Sequence, residues 1–264
     1  MSVGDNWDKQ AASYEVVAPN LSNFAQDAIT LSSNIIQPNS RILEVAAGTG
    51  AMTIPLLQNG HRVSATDLSP GMLEQLKNKL KHCNLQCEIN VCDGQTLELY
   101  EDASFDTVVS QFGIFLFPDR CAGWKSAHRV LKPSGHLLSL SWSKDAETLG
   151  FFAAVLESQN PENKETFFAN KCFTKQGFKE EVESCGFTNV EIYETRHDFV
   201  HLNGKLFLDG VKDNPVLGPI FKKLGQAKVA QIGAEYFKKE SEDAFLKEPC
   251  FMLGKALICI ASKK

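Results

Sequence analysis

Five residues in the first hundred have types and spacing that could do chemistry: Glu44, Gly48, Gly50, Asp67 and Asp93. The glycines close the apolar run "RILEVAAGTG", and glycine lets a chain turn sharply and approach a ligand closely. Glu44 lies inside that run, four residues before Gly48. A carboxylate at this place repels phosphate and suits a ligand that carries positive charge. A dinucleotide fingerprint would put a third glycine at position 53, where Thr53 stands, and the turn has no lysine of the phosphate-loop kind. Asp67 ends "HRVSATD", seventeen residues past Gly50. At a strand tip such a carboxylate can accept both hydroxyls of a ribose. Asp93 ends "INVCD", with Gly94 after it, and can accept a hydrogen bond from an adenine amino group. Each aspartate alone also reads as a helix cap. Three acidic residues in register with three successive strands point instead to a nucleoside-type ligand with positive charge and no phosphate.

The elements that must hold these residues follow from pattern. Strands are expected over "SRILEVAA", "HRVSATD", "LQCEINVCD", "FDTVVSQFGIF" and "HLLSLSWS". Helices alternate with them. One is expected over "AMTIPLLQNG", stopping at Gly60, and the next starts at Ser69-Pro70, with Met72, Leu73, Leu76 and Leu80 on one face. Another covers "RCAGWKSAHRVL" and ends at Lys132-Pro133-Ser134-Gly135. This alternation predicts a parallel α/β sheet through about residue 143. Helices are also expected over most of the first forty residues, over 145–172, and over 204–245 with breaks at Pro215 and Gly225. A sixth strand, "NVEIYETRHDFV", and a last one, "CFMLGKALICIAS", flank the second helical stretch. No linker is visible, so the late helices read as insertions folding over the sheet.

The chain has 264 residues, 43% of them hydrophobic, and a formal charge of -5. That suits one large domain and argues against a general nucleic-acid binder. No signal peptide or membrane-spanning run is expected. The eight cysteines, at 83, 87, 92, 121, 172, 185, 250 and 259, are scattered and form no Cys-x-x-Cys pair. They read as reduced thiols of a cytoplasmic protein, with no metal site.

Taken in order, "LEVAAGTG", "ATDLSPGML", "NVCDGQTL", "FDTVVSQFGIFLFPD" and "RVLKPSGHLL" resemble the class I S-adenosylmethionine-dependent methyltransferases. The branch they are most similar to acts on small molecules and includes the ubiquinone and menaquinone biosynthesis C-methyltransferases. The resemblance covers about residues 40–142. It implies a Rossmann-like seven-stranded, mostly parallel sheet whose last strand is antiparallel. It implies a single domain over 1–264, with an N-terminal helical lid (1–38), a cofactor-binding core (40–142) and helical insertions (143–172 and 204–245) over the acceptor pocket. Ala46, Gly48 and Gly50 would face the methionine and ribose of S-adenosylmethionine, and Asp67 the ribose hydroxyls. Leu68 and Met72 would pack on the adenine, and Asp93 and Gly94 would meet its amino group. Ser110 and Gln111 would lie near the sulfonium, and Tyr14 would close over the methionine end. The family often has glycine where this chain has Ala46, and a Pro-Gly-Gly turn where it has Pro133-Ser134-Gly135.

Methyl transfer from a sulfonium needs alignment and water exclusion more than acid–base help, so it need leave no catalytic signature. His128 and His136 read as packing residues, and His197 and His201, four apart on a strand, share no helical face. No catalytic residue is assigned. Phe112, Gly113, Ile114 and Phe115, after the fourth strand, border the expected methyl group and favour an apolar or aromatic small acceptor. Phe151, Phe152, Phe167, Phe168 and Phe173 read first as core. Three alternatives stay open: a methyltransferase acting on protein or RNA, a non-catalytic S-adenosylmethionine-binding protein, and a nicotinamide-dependent oxidoreductase.

Overall fold

The computed structural model describes residues 3–214 and 218–264. In chain order the elements begin with α1 (Val3–Gln10), α2 (Tyr14–Val17), α3 (Leu21–Leu31), β1 (Arg41–Val45), α4 (Thr53–Gln58), β2 (Arg62–Asp67), α5 (Pro70–His82), β3 (Glu88–Val91) and β4 (Phe105–Gln111). A 3-10 turn (Ile114–Leu116) leads to α6 (Arg120–Val130) and β5 (Leu131–Trp142). Then come α7 (Glu147–Glu157), α8 (Pro161–Phe168), α9 (Lys175–Ser184) and β6 (Thr188–His201). The chain closes with α10 (Gly204–Val211), α11 (Gly218–Leu224), α12 (Gln226–Tyr236), α13 (Glu242–Lys247) and β7 (Cys250–Ser262).

The seven strands form one sheet in the order β3-β2-β1-β4-β5-β7-β6. β1 pairs parallel with β2 and β4, and β7 runs antiparallel to β5. The expected sheet is therefore the observed one. The chain winds outward from β1 to β3, then crosses to the other side of β1 as β4. That reversal opens a crevice at the carboxyl ends of β1 and β4, where ligands of such sheets bind.

Two compact bodies divide the chain, each discontinuous in sequence. The sheet body comprises residues 21–143, 171–195 and 256–264. Within it the face of α5 predicted from its spacing packs as expected: Leu73, Leu76 and Leu80 join Ala47 and Ala65 in one buried cluster, with Cys87 against it. Ser69 Oγ accepts the Met72 N–H, so the predicted cap forms. Burying such a leucine contributes about 1.5–3 kcal/mol.

The helical body comprises residues 1–20, 144–170 and 196–255. Its core is aromatic. Phe151 is fully buried and meets Phe207, Phe221, Tyr236 and Phe237 at ring-centroid distances of 5.6, 6.4, 5.8 and 5.4 Å. Gln10 Nε2 donates to the Gly210 carbonyl at 2.9 Å, tying α1 to α10. The core reading of Phe151 thus holds.

Three expected boundaries move. β4 stops at Gln111 because Phe112 takes a left-handed φ of 54°, so "FGIF" is turn and 3-10 helix rather than strand. Lys132-Pro133-Ser134-Gly135 does not separate α6 from the fifth strand; β5 already begins at Leu131, and the turn is an irregularity in its pairing with β4. The 204–245 stretch breaks again between α12 and α13, after Phe237, while the break expected at Pro215 lies outside the described residues. Among the described residues no helix is long and apolar enough to cross a membrane.

Candidate functional site

The register places the candidate residues at neighbouring strand tips. Val45 pairs with Thr66, and Asp67 with Val91, so the chain leaves β1, β2 and β3 at one edge of the sheet. After β1 the backbone bends three times through left-handed φ: 58° at Ala46, 55° at Gly48 and 90° at Gly50. The two glycines are demanded for different reasons. A Cβ on Gly50 would lie 2.4 Å from Leu76 Cδ1, so this glycine lets the turn sit on α5. A Cβ on Gly48 would meet nothing within 4 Å, so here the demand is the backbone angle, and the space beside it is open.

Asp67 pins this turn. Its Oδ2 accepts the Gly48 N–H at 2.8 Å and its Oδ1 the Ser69 N–H at 2.9 Å. An ionised carboxylate only accepts hydrogen bonds, which is what a pair of hydroxyl groups needs. Asp93 is similarly held just past β3: its Oδ1 accepts the Gln95 N–H at 2.8 Å, and the Gln95 side-chain amide lies 3.3 and 3.2 Å from its two oxygens. Gln95 carries that tip onward: its side-chain oxygen accepts the Asp119 N–H at 2.9 Å, at the cap of α6. Gly94 makes room for Phe117, whose Cζ lies 2.5 Å from where a Cβ would be. Leu68 is exposed, while Met72 is buried.

On the far side of the crevice, Ser110 and Gln111 end β4 and are buried. Ser110 Oγ faces the following turn, accepting the Ile114 N–H at 3.4 Å. Gln111 Nε2 donates to the Leu21 carbonyl at 2.7 Å, and its buried Oε1 has no hydrogen-bond partner among the described residues. Phe112 stacks on Trp142 with centroids 3.9 Å apart, and Phe24 packs edge-on against both. Ala46, Gly48, Gly50, Asp67, Leu68, Met72, Asp93, Gly94, Ser110 and Gln111 all belong to the sheet body. Tyr14 belongs to the helical body, where its ring meets Trp7 edge-on at 6.3 Å.

Glu44 departs from expectation. Its side chain is 1% exposed, and it accepts a hydrogen bond from Thr53 Oγ1 at 2.5 Å. Burial, with the Asp67 charge adding to it against the Thr53 hydrogen bond, pushes its pKa up to about 8. Near neutral pH the group is uncharged and tied to the first residue of α4. The glycine turn therefore receives no exposed negative charge from Glu44, and Thr53 replaces the third glycine as its partner. The sign of the linked stability follows directly. The folded chain keeps this proton up to about pH 8, whereas the unfolded chain releases it near pH 4.5. Between these values the folded state binds the extra proton, so stability falls as pH rises from about 5 to 8. Glu44→Gln, neutral and of the same shape, removes this slope. Thermal melts at pH 5 and pH 8 should show the variant gaining on the parent protein as pH rises. Parallel curves would mean that Glu44 is ionised in the folded chain.

His201 is buried, its Nδ1 donates to the Val16 carbonyl at 3.0 Å, and burial lowers its pKa to about 4. Burial also lowers the pKa of His128 and His136. One residue that matters here had only a weak sequence signal. A Cβ on Gly113 would lie 2.5 Å from the Ala46 Cβ and 2.8 Å from Ser110 Oγ, so Gly113 lets the turns after β1 and β4 close on each other. Its only mark in sequence is a glycine in an aromatic run.

Residues 42–135 match the family described as a methyltransferase domain. A ubiquinone/menaquinone biosynthesis C-methyltransferase of Rickettsia bellii is 37% identical over 118 residues, covering 42% of this chain and 48% of that protein. A SAM-dependent methyltransferase of Methanosarcina mazei shares the fold with a TM-score of 0.56 at 17% identity, over 88% of this chain and 96% of the other. Haemonchus contortus phosphoethanolamine N-methyltransferase 2, solved with phosphomonomethylethanolamine and S-adenosylhomocysteine, shares it with a TM-score of 0.54 at 16% identity, over 90% and 52%. The chain spans about half the length of the curated relatives it matches.

Proposed function

We propose that this chain, which carries a methyltransferase domain over residues 42–135, is an S-adenosylmethionine-dependent methyltransferase acting on a small apolar or aromatic acceptor. The observation that carries the reading is the glycine turn at the tip of β1, beside the point where the strand order reverses. There Asp67 holds the glycine turn by the Gly48 N–H, and open space lies beside Gly48. The residues present fit the group: the Asp67 and Asp93 carboxylates are acceptors at neighbouring strand tips, suited to ribose hydroxyls and an adenine amino group, and Gln111 Oε1, at the end of β4, has no hydrogen-bond partner among the described residues.

When bound, S-adenosylmethionine supplies an electrophilic methyl on a sulfonium. The protein's part is positional. Ala46, Gly48 and Gly50 shape the cradle, Asp67 and Asp93 orient the nucleoside, and Leu68 and Met72 offer apolar surface to the base. Ser110 and Gln111 stand at the strand end expected to border the methyl. No side chain here is assigned as a base, and an in-line displacement on a good leaving group needs none unless the acceptor must lose a proton.

The acceptor class rests on softer support. Phe112, Ile114 and Phe115 follow β4 as buried apolar residues. The net charge of -5 disfavours a nucleic-acid substrate. The Rickettsia relative is named for methylating carbon in quinone biosynthesis. Calorimetric titration with S-adenosylmethionine, S-adenosylhomocysteine and NAD tests the cofactor. Binding of the first two and not the third is expected, followed by transfer of labelled methyl to small aromatic acceptors. Binding of NAD alone would overturn the reading.

A further inference from the structure

Cys121 and Cys185 are 64 residues apart in sequence, yet their sulfurs lie 3.2 Å from each other. Cys121 sits in the first turn of α6, and Cys185 caps the end of α9. A disulfide bond is about 2.05 Å long, so the two sulfurs need to approach by only about 1.2 Å. The helices that carry them are already pinned beside the pair. The Arg120 guanidinium donates twice to the Glu181 carboxylate, at 2.8 and 2.9 Å, and Trp124 Nε1 donates to it at 3.0 Å. The gap to be closed is therefore local to the two side chains and the helix ends that carry them. Cys121 is partly exposed and Cys185 is buried.

We propose that Cys121 and Cys185 form an oxidation-responsive modification site, at which hydrogen peroxide converts the two thiols into a disulfide joining α6 to α9. The Cys121 sulfur attacks one peroxide oxygen, the O–O bond breaks, and a sulfenic acid and one water result. The Cys185 sulfur then attacks the Cys121 sulfur, the S–O bond breaks, and the departing hydroxide takes the Cys185 proton as a second water. Two thiols and one peroxide give one disulfide and two waters; the sulfurs lose two electrons and the peroxide gains them. The order of events follows from the surroundings. Burial, helped by the Cys121 thiol, pushes Cys185 up to about 12, so it keeps its proton, and Cys121 is the sulfur that meets the oxidant. The bond would fix the start of α6, which the Asp119 N–H ties to Gln95 behind the tip of β3.

The test treats the full chain with a few equivalents of hydrogen peroxide, blocks remaining thiols, and maps peptides by mass without reduction. The expected result is a peptide carrying Cys121 linked to one carrying Cys185, separated again by dithiothreitol. Two fewer free thiols are expected in the parent protein, and neither Cys121→Ser nor Cys185→Ser should show the loss. Exposed Cys83 is the internal control for indiscriminate oxidation. Oxidation of Cys83 with Cys121 and Cys185 still unlinked would overturn the proposal, as would linkage of either to a different cysteine. The map of the parent protein decides this even if a serine variant fails to fold.

Discussion

Asp67→Ala lowers the affinity for S-adenosylmethionine at least tenfold, a loss of about 1.4 kcal/mol or more. Two effects combine. The acceptor positions meant for ribose hydroxyls disappear. The Gly48 and Ser69 N–H groups, held at 2.8 and 2.9 Å, also lose their partner, so the turn is no longer fixed before the ligand arrives. Losing a charge-assisted hydrogen bond costs about 1.5–3 kcal/mol, so some stability goes as well. Asp67→Asn separates shape from chemistry: its amide must turn a donor toward one of the two N–H groups, and affinity falls again. Gly48→Val tests the same cradle from the other side, since a β-branched residue is strained at φ 55° and its side chain fills the open space. Calorimetry reads affinity, and melting curves show whether each variant is folded. Unchanged affinity in both Asp67→Ala and Gly48→Val would refute the placement of the ligand.

Gly113→Ala destabilises the protein by about 1–3 kcal/mol, because a methyl group is forced to 2.5 Å from the Ala46 Cβ. Its own φ of -104° suits alanine, so backbone strain is not the cause. The contact names its own suppressor. Ala46→Gly removes the atom that is struck, and Ser110 Oγ can rotate away. The single Ala46→Gly change should be nearly neutral: it relieves about 1–2 kcal/mol of left-handed strain at φ 58°, against the extra freedom of glycine in the unfolded chain. The double variant should recover at least half of the loss caused by Gly113→Ala. Denaturant titration of the four proteins measures this coupling. Simple additivity would show that the two turns do not press together. Because these turns bound the crevice, Gly113→Ala should also weaken ligand binding, and the double variant should regain it.

The elements and most of the candidate site were legible in the chain because their signals are local. One strand followed by one helix puts each strand's last residue at the same edge of the sheet. Asp67 and Asp93 could therefore be placed at neighbouring tips from spacing alone, and the capping of α5 by Ser69 needed only four residues of sequence. The left-handed angles at Gly48 and Gly50 were likewise written in residue type.

What only the tertiary structure decided involves partners far apart in sequence. Glu44 looks like an exposed charge in a list of residues, but burial beside Thr53 makes it neutral, and burial is a property of the folded surroundings. Gly113 and Ala46 meet because the sheet order sets β4 next to β1, a neighbour that no periodicity announces. Cys121 and Cys185 meet because α6 and α9 pack together through Arg120 and Glu181. The division into two bodies gathers segments from both ends and the middle of the chain, where local pattern carries no record of which segments assemble. Sequence determined what each segment becomes and which residues stand at its end; three-dimensional packing determined their charge state, their contacts and the residues each leaves room for.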